Sequence, residues 1–250
     1  MDLTVTDRPA PPTDPDEGRG LLPIAPSRRT LLIGVGTLGA GLALGTGVAS
    51  AAPILKKGSR GSAVTTLQKN LASLGYWCGA ADGSFGHLTQ QGVWALQKAA
   101  GLVRDGVVGP KTYDALARKV LPSRRITSGT AFEVTLSRQL LIATSGGRLK
   151  YVFNTSTGSG ERYYSGGRWK TATTPKGDFK MYSLYSSGWQ SGPLGNLYRP
   201  GYYDRGWAIH GSTSIPTYPA SHGCSRISVA ASDMLWRDGW FVKGRRVLIY

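Results

Sequence analysis

At 250 residues the chain has room for one large domain or two modest ones plus a targeting segment, and its 35 glycines and 14 prolines imply many turns. Thirty Lys and Arg against 14 Asp and Glu give a formal charge of +16, and without residues 1–51, which hold four Arg and five acids, the remainder carries +17; such a balance draws a protein to anionic polymers. The basic residues are scattered and form no Lys/Arg block, which excludes a nucleic-acid module, and two cysteines, Cys78 and Cys224, are too few for a disulfide framework.

Residues 1–26 are rich in Pro and Asp without apolar periodicity and are expected to be disordered. Arg28-Arg29 then stand just before a run from Leu31 to Ala52 that has no charged residue and is heavy in Gly, Ala and Leu. This resembles a twin-arginine export signal. Ala49-Ser50-Ala51 fits small-x-small cleavage, with Ala52 as the new N-terminus. An uncleaved anchor is the alternative, since about twenty residues span a bilayer, but the glycine content favours cleavage. Either version places the rest outside the cytoplasm, with membrane contact only through this segment.

From Leu55 to Ala117 the pattern is helical and internally repeated. Gly61-Ser62 offers an N-cap, Val64, Leu67, Leu71 and Leu74 recur at helical spacing, and Gly75 closes the turn. A second amphipathic stretch runs from about Thr89 to Ala100, and a short third begins at Pro110 and uses Tyr113 and Leu116. Between them Asp82-Gly83-Ser84-Phe85-Gly86 before Thr89 is repeated as Asp105-Gly106-Val107-Val108-Gly109 before Thr112, each Asp-Gly tightening a turn and each Thr placed to cap the next helix. The segment resembles the peptidoglycan-binding domain appended to many wall hydrolases and transpeptidases, on Gly58-Ser59-Arg60-Gly61, Leu67-Gln68, Leu74-Gly75-Tyr76, both turns and Gly109-Pro110-Lys111-Thr112. The resemblance implies that it holds glycan or stem peptide, with an exposed Tyr76-Trp77 region and the repeat turns as contact surfaces. Trp77 and Trp94 serving simply as core is the alternative. Cys78 is read as packing, and as no disulfide partner for Cys224.

Residues 121–126 form a short basic linker, after which the periodicity changes to alternation. Phe132, Val134 and Leu136 alternate with polar residues; Gln139 to Ala143, Tyr151-Val152-Phe153, Gly177 to Tyr182 and Val247 to Tyr250 read as further strands. Only Ser228 to Trp236 suggests a helix. The chain is therefore expected to be α+β, a three-helix domain over 52–120 followed by a mostly β, sandwich-like domain over 127–250.

Within the second domain, His210 ends the apolar run Trp207-Ala208-Ile209, and a Gly/Ser/Pro-rich loop leads to Ser221-His222-Gly223-Cys224-Ser225-Arg226. A strand ending in His, followed by a loop that returns a Cys to the same sheet end, sets imidazole beside thiol for acyl transfer through a thioester. A lone Cys is usually a small buried hydrophobe and a lone His a satisfied polar group, but two His and a Cys together among Gly and Ser point to chemistry. A zinc site lacks a Cys-x-x-Cys pair and an obvious fourth ligand. No metal or other cofactor is expected.

Three motifs carry a second resemblance, to the L,D-transpeptidase (YkuD-type) catalytic domain: Thr174-Pro175-Lys176-Gly177-Asp178-Phe179, Ile209-His210-Gly211-Ser212 and Ser221 to Arg226. Ten residues separate His210 from Ser221, fewer than in many members. The resemblance implies Cys224 as nucleophile, His210 as base with its other ring nitrogen held by the carbonyl of Gly211 or Ser212, and His222 as a catalytic-site group that positions the loop or assists a proton step. Backbone N–H groups of His222, Gly223 and Cys224 converge on an oxyanion, because Gly223 lets substrate approach closely. Substrate contacts fall to Ser221, Arg226, Gly211, Ser212 and Tyr203, with Arg226 either holding a stem carboxylate or bracing the loop. The implied reaction is attack on the carbonyl between the third stem residue and D-alanine, followed by 3-to-3 cross-linking, L,D-carboxypeptidase hydrolysis or exchange, with sensitivity to carbapenems. A thiol peptidase and a non-catalytic wall-binding protein are the alternatives.

Overall fold

The apolar spacing of residues 62–117 folds, in a computed structural model, into three helices: α1 (Ser62–Ser73), α2 (His87–Ala100) and α3 (Pro110–Ala117). The structure describes residues 52–250, so the disordered stretch, export signal and cleavage site expected within residues 1–51 lie outside the described residues. Val64, Leu67 and Leu71 of α1 and Val93 and Leu96 of α2 fill one core. The two Asp-Gly turns are held by a device that spacing did not disclose. Gln68 donates to Asp82 (2.8 Å) and Thr89 (2.9 Å) and accepts from the Gly83 N–H (2.9 Å), and Gln97 repeats the pattern with Asp105 (2.8 Å) and the Gly106 N–H (3.0 Å). Thr89 and Thr112, expected as caps, therefore sit inside the first helical turn, where their hydroxyls bind back to the carbonyls of Ser84 and Val107. The caps are Gly86 and Gly109, with no side-chain bond.

The strands are β1 (Ala131–Thr135), β2 (Leu140–Ser145), β3 (Arg148–Asn154), β4 (Arg162–Ser165), β5 (Arg168–Thr171), β6 (Gly177–Lys180), β7 (Ser183–Leu184), β8 (Trp189–Gly192), β9 (Gly195–Asp204), β10 (Trp207–Ser212), β11 (Ser225–Ser228) and β12 (Arg246–Ile249). A fourth helix, α4 (Val229–Arg237), follows β11, its N-cap Ser228 accepting from the Ala231 N–H. One sheet has the order β3-β2-β1-β12-β6, a second β11-β10-β9-β7 with β8 also on β9, and β4-β5 is a separate hairpin. Alternating residues of both sheets, among them Phe132, Val134, Ile209, Ile227 and Val247, meet α4 in the larger core. The ladder pairs are antiparallel except β1 with β12 and β10 with β11. No described helix is long and apolar enough to cross a membrane.

Helices and sheet share surfaces. Residues 75–77 line up along β3, with the Trp77 N–H on the Val152 carbonyl (3.1 Å) and the Val152 N–H on that of Gly75 (2.8 Å), which covers an otherwise open edge. Tyr76, expected as an exposed contact, is fully buried instead, because this pairing turns its ring into the helical core and its hydroxyl onto the Val120 carbonyl (2.8 Å). Trp77 is partly buried against Phe153. Leu140 and Val152 of the sheet complete the helical core. The connection at 121–126 is tied down by the buried Glu133 carboxylate, which accepts from the Arg125 (2.7 Å) and Ile126 (3.0 Å) N–H groups. The described residues fall in one compact unit.

Lys98, near the end of α2, is 1% exposed and donates to the carbonyls of Gln139 (2.8 Å) and Thr155 (3.0 Å). Burial, with the Arg104 charge nearby, pulls its pKa down to about 6. A neutral amine has two N–H bonds to give and meets two acceptors. In the unfolded chain the group titrates at its ordinary 10.5, so between pH 6 and 10.5 the unfolded state binds the extra proton. Stability from this group is therefore complete above 10.5 and declines as pH falls toward 6, by about 1.4 kcal/mol per unit for one proton. Lys98→Met should lower stability overall by leaving the buried Thr155 carbonyl without its donor, the Gln139 carbonyl keeping the Thr155 N–H (3.1 Å), and should flatten this slope. Denaturant midpoints of both proteins at pH 6.5, 7.5 and 8.5 test it; parallel pH dependences would show that Lys98 stays charged.

Candidate active site

The parallel register of β10 and β11 pairs Ile209 with Ser225 and His210 with Arg226, so one step back Cys224 lies beside Ala208. Side chains alternate along a strand, which puts Ala208, His210, Cys224 and Arg226 on one face of the pair. The partly exposed Cys224 thiol donates to the Gly206 carbonyl at 3.7 Å, with the Ala208 N–H nearby. Burial pushes its pKa up, against the opposing pull of that N–H and of the Arg226 charge.

His210 is 4% exposed, and its Nδ1 lies 2.8 Å from the Gly211 carbonyl. Because a carbonyl only accepts, Nδ1 carries the proton and Nε2 of the neutral ring is an acceptor. Burial holds its pKa down to about 4, with Arg226 adding to the effect and the Gly211 bond working against it. At neutral pH the site thus contains a neutral imidazole and a protonated thiol, with no Asp or Glu bonded to either among the described residues. No cluster of three or more His, Cys, Asp or Glu suited to a metal occurs among the described residues.

The turn that delivers Cys224 is stapled from within. The Ser221 hydroxyl donates to the Cys224 carbonyl (2.7 Å) and accepts from the Gly223 N–H (2.9 Å). Thr174, which opens the Thr-Pro-Lys-Gly motif, donates to the Gly223 carbonyl (2.6 Å) and accepts from the Gly158 N–H (2.9 Å). Gly223 has φ +136°, and a Cβ there would strike the Trp207 indole and approach the Thr173 carbonyl to 2.8 Å. His222 is exposed, and its ring meets Tyr163 of β4 edge-on at 4.7 Å.

Several site residues thus stand differently from their expected roles. Ser221 is buried, and its hydroxyl makes both of its bonds inside the turn. The Gly223 N–H is taken by Ser221, which removes it from the expected oxyanion group. Tyr203 is 3% exposed and packs on Phe179 at 5.5 Å, because alternation along β9 turns it into the core and its neighbour Tyr202 the other way, onto Gln190 (2.6 Å). Gly211 is buried and supplies its carbonyl to His210, and the Ser212 hydroxyl bonds to the Ser214 backbone. Arg226 has no carboxylate partner among the described residues.

Sequence reasoning passed over the rail at residues 154–159. The Thr155 hydroxyl donates to the Arg226 carbonyl (2.7 Å), the Arg226 N–H to that of Ser156 (3.1 Å), and the Ala220 and Ser221 N–H groups to that of Thr157 (3.0 and 2.9 Å). The signal was available, since Asn-Thr-Ser-Thr-Gly-Ser follows an apolar strand directly.

Compared with known proteins, residues 60–116 match the family model of a peptidoglycan binding domain and residues 129–249 that of the L,D-transpeptidase catalytic domain. A solved L,D-transpeptidase from Xylanimonas cellulosilytica is 50% identical with a TM-score of 0.75, over 78% of this chain and 97% of that one. The N-acetylmuramoyl-L-alanine amidase CwlL of Bacillus licheniformis is 50% identical over 70 residues, 27% of this chain and 19% of the amidase. The amidase CwlM of Mycobacterium tuberculosis is 34% identical over 89 residues, 36% of this chain and 21% of that protein. The chain spans about a fifth of the length of these two curated relatives.

The crowding at Gly223 yields a test. Gly223→Ala combines a left-handed φ with a backbone clash, and should cost about 2–4 kcal/mol of unfolding free energy. Chemical denaturation measures it, and a change below about 0.5 kcal/mol, the ordinary surface range, would show that the turn relaxes freely.

Proposed function

The chain belongs to the L,D-transpeptidase family, with a peptidoglycan-binding domain ahead of the catalytic one, and from that membership we propose that Cys224 is acylated by a peptidoglycan stem and passes the acyl group on. The observation that carries the reading is the neutral pair on one strand face. The Cys224 thiol, beside Ala208 on the neighbouring strand, donates to the Gly206 carbonyl, and His210 is fixed by Gly211 in the tautomer whose free Nε2 accepts a proton.

In the first half-reaction Cys224 Sγ attacks the carbonyl between the third stem residue and the terminal D-alanine while its proton passes to His210 Nε2. The carbonyl oxygen becomes an oxyanion, for which the N–H groups of His222 and Cys224 remain once that of Gly223 is spoken for. Collapse breaks the amide bond, His210 returns the proton to the leaving nitrogen, and D-alanine departs from a thioester. An imidazolium with a pKa near 4 is a strong acid for that step. A side-chain amine of a second stem then attacks the thioester, His210 takes its proton and returns it to sulfur, and a 3-to-3 cross-link results. Water as acceptor gives L,D-carboxypeptidase activity, the runner-up reading. Arg226, beside the thiol without a carboxylate partner among the described residues, suits a stem carboxylate. His222 positions the turn.

On this reading residues 52–120 bind the wall, residues 127–250 perform catalysis, and the protein works after export in the cell wall. The +17 carried beyond residue 51 supports retention on an anionic wall. A carbapenem would acylate the same thiol.

The chain incubated with a tetrapeptide-bearing muropeptide should release D-alanine, and Cys224→Ala should reduce release by roughly a thousandfold or more. Cross-linked dimers in the product masses would identify the transpeptidase outcome, and tripeptides alone the hydrolytic one. Release at the parent rate from Cys224→Ala would sink the mechanism. Because His210 must be neutral, kcat/KM should stay level from about pH 8 to pH 5 and fall only as His210 charges near pH 4. An acid limb near the ordinary histidine value of 6.5 would point to a different base.

A further inference from the structure

We propose that the peptidoglycan-binding module has a second task, in which Arg104 and Gln91 act as positioning residues that hold the loop carrying Cys224. The inference rests on the reading of Cys224 as nucleophile. The loop from Thr213 to Cys224 contains no helix or strand, so its backbone carbonyls need partners from elsewhere in the fold. The Thr217 carbonyl takes the Arg104 Nη1 at 2.8 Å, from the turn after α2. The Ile215 carbonyl takes Gln91 Nε2 of α2 at 3.4 Å and Asn154 Nδ2 at 3.0 Å, and Asn154 also donates to Gln91 Oε1 at 2.6 Å. Gln91, Asn154 and Ile215 are all buried. The second half of the loop is held by the 154–159 rail; the first half is shared between that rail, through Asn154 and through Ser156 donating to the Tyr218 carbonyl (2.8 Å), and the helical module, through Arg104 and Gln91.

The two anchors differ in a way that can be read out. Arg104 is the partner that the Thr217 carbonyl has among the described residues, whereas Ile215 keeps Asn154 when Gln91 is lost. Neither anchor reaches the thiol itself. Freeing Thr217 leaves β10 paired with β11 and the Ser221 staple intact. It releases the segment leading into the Ser-His-Gly-Cys turn, so the expected loss is in the acylation step and not in donor binding.

The test uses the full chain with Arg104→Ala, Arg104→Lys and Gln91→Ala. Arg104→Ala should lower kcat for D-alanine release roughly 5- to 20-fold with KM changed less than about twofold, which is the pattern of misplacement and not of lost binding. Arg104→Lys, which keeps a charged donor, should recover most of the rate, and Gln91→Ala should lose less than Arg104→Ala. Hydrogen exchange in residues 213–220 should quicken in Arg104→Ala while β1 and β12 stay protected. The rate of Cys224 alkylation by iodoacetamide should shift with it, Cys78 being buried.

An unchanged kcat and unchanged loop exchange in Arg104→Ala would overturn the proposal. So would a loss of activity that follows global unfolding and is not recovered by lysine, since that is a purely structural role. If Arg104→Ala does not fold, Arg104→Lys and Gln91→Ala decide through the same loop exchange and kcat. Should the parent release no D-alanine, the functional reading fails, while loop exchange and alkylation still report whether the module holds the loop.

Discussion

The parallel pairing of β10 with β11 is the constraint on which the rest depends. Parallel neighbours need a crossover of a dozen residues or more, usually a helix laid over the sheet. Here the crossover is the twelve residues from Thr213 to Cys224, with no helix. A loop this short brings a thiol to the same end of the sheet as a histidine on the previous strand, and it leaves a series of backbone polar groups partly buried. Each unpaired group would cost about 1–3 kcal/mol. The answer is a set of polar side chains where apolar ones would be ordinary: Asn154 at the end of β3, Thr155, Ser156 and Thr157 after it, Thr174 before β6, Gln91 from α2 and Arg104 from the turn after it.

Burial of that face also sets the charge state of the site. A charged thiolate and imidazolium are both disfavoured in a poorly hydrated setting, so the thiol pKa rises and that of His210 falls. Arg226 acts on both groups, favouring the thiolate and opposing the imidazolium. With Nδ1 tied to a backbone carbonyl, no carboxylate is required to fix the tautomer. On the proposed mechanism the proton moves only as the carbon–sulfur bond forms, and a thiolate of raised pKa is the stronger nucleophile when it appears.

What could be read in the sequence was what repeats locally. Leucines at helical spacing gave α1, Pro110 began α3, the stretch from Ser228 to Trp236 gave α4, and the apolar run before His210 with the Gly/Ser/Pro stretch after it gave a strand followed by a loop. What could not be read depends on partners far along the chain. Tyr76 looked like a surface aromatic until its neighbours paired with β3, and Tyr203 looked like a cleft wall until the register of β9 turned it inward. Strands β7, β8 and β9 carry Gly, Pro and Ser among their residues and lack clean alternation, so they read as loop although β9 pairs with β10 and itself carries β7 and β8. Ser221 and Gly223 were legible as members of the turn, but that they bond each other is a matter of geometry within four residues, which a motif does not specify.

The internal duplication of the helical module explains how one small domain reaches the loop that carries Cys224. Gln68-Lys69 on α1 and Gln97-Lys98 on α2 begin from the same pattern, and both glutamines lock an Asp-Gly turn in the same way. The first copy faces solvent, leaving Lys69 exposed and placing Ala81 before its Asp-Gly turn. The second copy faces the sheet, and there the equivalent positions are Lys98, buried on the carbonyls of Gln139 and Thr155, and Arg104, bonded to Thr217. Gln139 in turn holds both the Thr157 N–H and hydroxyl (2.8 and 2.6 Å). A continuous series of hydrogen bonds therefore runs from α2 through Gln139 and the 154–159 rail to Ser221, and the rigid Asp-Gly turn fixes the residue next to Arg104. The repeat that builds a binding module is, in its second copy, also part of the support beneath the thiol.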